Sequence, residues 1–293
     1  MTGRERARWV ALVVDVPAAI EDELSAEIGA GSLGVLFSRG AKGWSVLEVC
    51  LPRDADVDGR VEAAAASLAA RGLSPEGRVR VAPIPDGRWV ERYLEALLPL
   101  PIGDRFVVLP PGASAAPAGR ETLRLVPGRA FGTGEHPTTR LSAAALERAV
   151  RPGSRWLDLG TGSGILAVVA ARCGAGAVEA VDVDADAVEA AREAVLANGV
   201  EGRVRVRLGS VEGFRDAGFD GCVANVASAF FLSRSAEIAS CLRFRGALLA
   251  SGVLASEAGA VSEAFADAGI EILETRTEGD WALLLGLRRE ASR

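Results

Sequence analysis

Three short segments of this 293-residue chain carry residues whose types and spacing could do chemistry. The first is Gly160-Thr161-Gly162-Ser163-Gly164, which follows an apolar strand-like run, Arg155 to Leu159, and leads into a helical pattern, Ile165 to Cys173. Glycines there let the backbone turn sharply and approach a ligand closely, and the helix start offers unpaired N–H groups to an acceptor. The spacing is G-x-G-x-G after Asp158, not the G-x-G-x-x-G of the dinucleotide fingerprint. That moves the reading from NAD toward S-adenosylmethionine, whose amino-acid portion can lie against such a loop. Asp182 ends the next strand-like run, 22 residues after Gly160. A carboxylate at that place can accept both ribose hydroxyl protons, in either cofactor. Its bland alternative is helix capping, which Asp184 suits better.

The second segment centres on Asn225, in the apolar run Cys222 to Val226. If the sheet reverses order there, Asn225 lies beside the strand that carries Gly160, and ligands collect at such a switch point. An Asn carbonyl can accept a hydrogen bond from an attacking amine and aim its lone pair at a methyl carbon ~3 to 3.5 Å away. The alternative is an Asn that only closes a turn. Enzymes that methylate nucleic-acid amines or glutamine usually continue with Pro-Pro-aromatic, whereas Val226-Ala227-Ser228 follows here, so neither target is favoured.

The third segment, Phe131 to Thr139, reads FGTGEHPTT and precedes a helix, Arg140 to Ala149. Pro137 suits a first helical position, and Thr138 and Thr139 can turn hydroxyls toward a ligand at that terminus. His136, the single histidine, stands before a proline and reads as structural in preference to a general base. With no second histidine and no cysteine cluster, no metal site is expected. No Ser-His-Asp arrangement is found either.

These segments need elements to hold them. The length predicts two domains, and 49% hydrophobic residues with a mean hydropathy of +0.22 exclude a disordered chain. Residues 1–85 show strand Trp9 to Val16, helix Ala18 to Ile28, strands Ser32 to Ser38 and Trp44 to Leu51, helix Asp58 to Arg71 and strand Arg78 to Ala82. The order βαββαβ predicts a ferredoxin-like α+β domain. Residues 86–99 read as a linker helix, with Trp89, Tyr93 and Leu97 at helical spacing. Residues 100–293 then form the catalytic domain. Phe106 to Leu109 and Thr122 to Val126 are expected to pair as a hairpin that roofs it. From Arg155 onward, strands and helices alternate through Val178 to Asp182, Val204 to Leu208, Cys222 to Val226 and Ala247 to Ser251. That pattern predicts a mostly parallel, doubly wound α/β sheet with helices on both faces. Glu271 to Thr275 and Trp281 to Leu287 are separated only by a tight turn and should be antiparallel.

Composition narrows the setting. A net charge of -6 gives no field that would draw the chain onto a polyanion, so direct nucleic-acid binding is not expected. Residues 1–85 carry 12 acidic and 10 basic side chains and no RNA-binding aromatic signature. Cys50, Cys173, Cys222 and Cys241 form no CxxC pair and read as reduced, small hydrophobes of a cytoplasmic protein. Lys42 is the single lysine, a scarcity that reads as codon bias. No leader is recognised, and no run reaches the ~18 to 20 apolar residues of a membrane span.

AFGTGEHPTT about 20 residues ahead of LDLGTGSGIL, followed by AVDVDADAVEAA, VANV and the closing Gly279-Asp280-Trp281, resembles the ribosomal protein L11 methyltransferase family (PrmA) over essentially the whole chain. The resemblance implies a class I methyltransferase that uses S-adenosylmethionine as methyl donor and methylates amino groups, on lysine or the N-terminus, of a large-subunit ribosomal protein. It matches Thr139, Gly160, Asp182 and Asn225 to cofactor-contacting positions, with Gly162 in the same loop, and gives the front domain the protein substrate. Two departures stand out: Asn225-Val226-Ala227 replaces Asn-Ile-Leu, and Ser210 falls where related enzymes often place an acid near the adenine. A lysine methyltransferase acting on an electron-transfer flavoprotein subunit is therefore the alternative, and a nicotinamide-dependent oxidoreductase a more distant one.

Overall fold

The computed structural model describes residues 9–29, 32, 34–39, 43–52, 55–83, 99–109, 119–125 and 136–290. The linker helix expected from Asp86 to Leu97 lies outside these residues. The chain divides into two compact units, one holding the described residues up to Pro83 and the other those from Pro99 onward.

The first unit comprises β1 (Trp9–Pro17), α1 (Glu21–Gly29), β2 (Gly34–Arg39), β3 (Trp44–Pro52), α2 (Val57–Ala70) and β4 (Val79–Pro83). Its sheet has the order β2-β3-β1-β4 with every pair antiparallel. Two helical crossovers that each skip one strand produce this order, as in a split βαβ unit. Leu12, Val14 and Val16 on β1 alternate toward the same side as Leu47, Val49 and Leu51 on β3, and that face closes on Leu24, Ile28 and Leu68 of the helices. Asp56 starts α2 by accepting the Gly59 N–H at 3.0 Å.

The second unit opens with β5 (Leu100–Ile102), β6 (Phe106–Leu109) and β7 (Glu121–Arg124). Here the expected hairpin is corrected: β6 and β7 run parallel, and the antiparallel neighbour of β6 is β5. A tight turn, residues 103–105, lets β5 take the antiparallel edge, so β7 joins the other edge after a longer connection. Next come α3 (Pro137–Ala149), β8 (Arg155–Leu159), α4 (Ile165–Arg172), β9 (Ala177–Asp182), α5 (Ala185–Ala197) and β10 (Val204–Leu208). The chain then continues through β11 (Phe219–Asn225), α6 (Ser228–Cys241), β12 (Leu242–Leu254), α7 (Ala258–Asp267), β13 (Ile270–Glu278) and β14 (Trp281–Arg288).

Seven of these strands form one sheet, β10-β9-β8-β11-β12-β14-β13. The first five are parallel, and β14 runs antiparallel to both β12 and β13. The order reverses between β8 and β11. Side chains alternate along each strand, so Trp156 of β8 enters a core with Ile165, Val178 and Leu249, while Leu157 and Leu159 enter another with Phe231, Leu248 and Phe265. Each face of the sheet thus has its own apolar layer. The carboxyl ends of β8, β9 and β11 all point to one edge, where the chain must leave the sheet.

Candidate active site

β8 ends in a bend that only glycine fits well. Gly160 has φ +71, and a Cβ there would stand 2.4 Å from Val226 Cγ1. Gly164 has φ +79 and lies so close to α5 that a Cβ would meet the Ala191 Cα at 2.9 Å. The bend is held to β9, since the Gly160 and Thr161 N–H groups both donate to the Val181 carbonyl at 2.9 Å. It then delivers the chain into α4, whose first turn faces the same crevice.

Asp182, at the end of β9, is committed to the backbone around it. Its Oδ2 accepts the Gly162 N–H at 2.9 Å and its Oδ1 accepts the Asp184 N–H at 3.0 Å. Each carboxylate oxygen keeps a second lone pair, so a vicinal diol can still be received. Asp184 caps α5 by accepting the Asp186 N–H at 2.9 Å, which leaves Asp182 free of that duty.

Asn225 ends β11 and stands beside the first turn of α3. Its Nδ2 makes a long contact, 3.5 Å, to the Thr139 hydroxyl oxygen. Thr139 is fully buried from bulk solvent yet borders the cavity. Thr138 behaves differently: its hydroxyl lies 2.7 Å from His136 Nδ1, so it is used within the helix cap. His136 itself caps α3 and sets its ring edge-on to Trp281, with centroids 4.6 Å apart. A structural role for His136 is thus what its surroundings supply.

The five candidates Thr139, Gly160, Gly162, Asp182 and Asn225 all border one cavity of about 280 Å³ at the point where the sheet reverses. Ser210 borders it too, as do Val183, Val226 and Phe230, which sequence reasoning did not single out. Phe230 is next to Phe231 on α6 and packs against the same apolar layer. Phe231 is fully buried, whereas Phe230 is only partly buried and also borders the cavity.

Below the bend lies a buried acid. Asp158 sits on the apolar face of β8 and accepts the Thr161 hydroxyl at 2.6 Å, while its Oδ1 meets no hydrogen-bond partner in good geometry. Burial raises its pKa from 3.8 to about 7; the Thr161 hydroxyl and the Ala167 N–H oppose this, and Asp182 adds to it. Burial likewise pushes the Cys222 thiol up, so that cysteine is a core side chain and no nucleophile. Among the described residues there is no His, Cys, Asp and Glu grouping fit for a metal, and no helix long and apolar enough to cross a membrane.

A glycine bend against which a charged tail can lie, an acid placed for a diol, and an amide beside a buried hydroxyl suit S-adenosylmethionine in one continuous crevice. Together with the sheet order they define a class I S-adenosylmethionine-dependent methyltransferase. Residues 42–289 match the family model described as ribosomal protein L11 methyltransferase (PrmA). The chain belongs to that family. It is 37% identical over 249 residues to a ribosomal protein L11 methyltransferase of Symbiobacterium thermophilum, covering 84% of this chain and 81% of the relative. It is also 37% identical over 281 residues to one of Burkholderia mallei, covering 96% and 91%. Among solved structures, a ribosomal protein L11 methylase from Lactobacillus delbrueckii subsp. bulgaricus is similar with TM-score 0.58 and 29% identity, over 66% of this chain and 99% of that one. The enzyme is a protein methyltransferase, and its methyl donor is S-adenosylmethionine.

Proposed function

We propose that this enzyme methylates amino groups of ribosomal protein L11, on lysine side chains, the N-terminus or both. The observation that carries the reading is the meeting of Asn225 and Thr139 on the wall of the cavity that Gly160, Gly162 and Asp182 also border. When bound, S-adenosylmethionine supplies a sulfonium-activated methyl carbon and a positive charge that disfavours a second cation beside it. A lysine amine, with a pKa near ~10.4 in water, must shed a proton before it can attack. Desolvation between Phe230 and Val226 favours that loss. The Thr139 hydroxyl receives the Asn225 Nδ2, which leaves the Asn225 carbonyl to accept one amine hydrogen and orient the lone pair. Asp182 holds the ribose and, through Gly162, the bend against which the donor's amino-acid tail lies.

The first unit, with its near-balanced charge, is assigned to recognition of the protein substrate. That assignment implies work in the compartment where ribosomal proteins are made. The test is mass spectrometry of L11 and of an electron-transfer flavoprotein subunit after incubation with the purified enzyme and labelled donor. Label on L11 amines supports the proposal; label on the flavoprotein subunit alone would replace it with the alternative substrate.

A further inference from the structure

The joint that presents Thr139 and Asn225 to the cavity has a far side, and that side is the turn between β13 and β14. Arg140, next to Thr139, donates to Glu278 Oε1 through Nε at 3.2 Å and also through Nη2. Three residues on, Trp281 makes a T-shaped contact with the His136 ring at 4.6 Å between centroids, with the planes 72° apart. Between these two contacts the buried Ser251 hydroxyl is shared by the Thr138 carbonyl at 3.3 Å and the Ala282 carbonyl at 3.4 Å. The first turn of α3 is therefore gripped on both sides of Thr139 by one short stretch of chain. Neither Glu278 nor Trp281 borders the cavity among the described lining residues.

We propose that the turn Glu278–Trp281 is a positioning element for Asn225. By holding Arg140 and His136 on either side of Thr139, it fixes the hydroxyl that receives the Asn225 amide, and with it the direction of the Asn225 carbonyl. The proposal rests on the reading of Asn225 as the group that aims the amine. Two features give the turn this role in preference to a merely structural one. Thr139 is fully buried, so its hydroxyl moves only if the helix start moves with it. The Arg140–Glu278 pair is about one-third to two-fifths exposed, and pairs of that kind contribute little to global stability. The 3.5 Å contact between Asn225 and Thr139 is long, so a small displacement of α3 is enough to break it.

The test compares Glu278→Gln, Glu278→Arg, Arg140→Glu, the exchanged pair Arg140→Glu with Glu278→Arg, Trp281→Leu and Trp281→Phe, with Asn225→Ala in parallel. For each, kcat and KM are measured on L11, and S-adenosylhomocysteine affinity by calorimetry. The single charge reversals and Trp281→Leu should lower kcat about tenfold with affinity for the nucleoside within about twofold, as expected of a misaimed group. The exchanged pair should recover at least half of the lost kcat, and Trp281→Phe should recover most of what Trp281→Leu loses. Unchanged kcat in Glu278→Gln and Trp281→Leu, or an exchanged pair no better than its singles, overturns the proposal. Where a charge reversal fails to fold, Glu278→Gln, expected to lower kcat several-fold, and Trp281→Leu set against Trp281→Phe carry the comparison. If Asn225→Ala keeps full turnover, the reading of Asn225 falls and this inference with it. If Asn225→Ala loses turnover while the turn variants keep theirs, the positioning role alone is wrong.

Discussion

The Gly162 N–H donates to the Asp182 carboxylate at 2.9 Å, so the bend after β8 and the acid that ends β9 are one mechanical unit. Removing the acid therefore does two things at once: it deletes the proposed acceptor for the ribose and unties the bend. Asp182→Ala should weaken S-adenosylhomocysteine binding by about 10- to 100-fold, the loss of one or two charge-assisted hydrogen bonds. Asp184→Ala is the control, because Asp184 caps α5. It should cost about 1 kcal/mol of stability and leave affinity nearly unchanged. Isothermal calorimetry and thermal melts on the two variants separate these outcomes.

Asn225 should behave in the opposite way. In the proposed role its carbonyl serves the attacking amine more than the donor, so Asn225→Ala should lower kcat by about 100-fold while donor affinity stays within about threefold. Thr139→Val keeps the volume and removes the hydroxyl that receives Asn225 Nδ2. A smaller fall in kcat, on the order of tenfold, is expected there. Equal losses of kcat and donor affinity in Asn225→Ala would reassign the residue to cofactor binding.

Gly160 tests the bend itself. Gly160→Ala forces a side chain into φ +71 and brings a Cβ to 2.4 Å from Val226 Cγ1. The left-handed backbone costs roughly 1–2 kcal/mol, and the clash adds to it. Adding Val226→Ala removes the clash and leaves the backbone strain. The double variant should thus regain part, and only part, of the melting temperature and nucleoside affinity that the single variant loses.

Most of this site was legible in the sequence because its parts are local. Arg155–Leu159 and Val204–Leu208 have the bounds that the alternation of apolar runs predicted, and Asp184 caps the helix that follows β9. What was illegible depends on partners far away in the chain. Pro101 obscured β5, since a proline inside a short run argues against a strand until an edge partner, Val107, is known. β12 extends from Leu242 to Leu254, well beyond the apolar core Ala247 to Ser251, because Leu242 pairs with Phe219 and its far end with Trp281. The Arg140–Glu278 pair spans 138 residues of sequence, a separation at which no spacing rule applies. The cavity-lining place of Val226 and Phe230 is illegible for a related reason: apolar side chains announce burial, and only the fold shows which of them border a cavity.

Asp158 gives the stability of this fold a pH dependence of definite sign. Its carboxyl is buried in the apolar layer under the bend, and its pKa rises from 3.8 in the open chain to about 7 in the fold. The folded state therefore prefers the neutral acid, and the preference is fully present below about pH 4 and lost as pH rises through about 7. That span of pKa corresponds to at most on the order of 4 kcal/mol. Asp158→Asn keeps the shape and an oxygen that can accept the Thr161 hydroxyl, but carries no charge at any pH. The wild-type melting temperature should fall between about pH 5 and pH 8 by more than that of Asp158→Asn, the two curves diverging most on the alkaline side. Calorimetric melts of both proteins across that range would show it. Parallel curves would mean that the acid titrates at its ordinary value, and that water reaches a carboxylate which the fold buries.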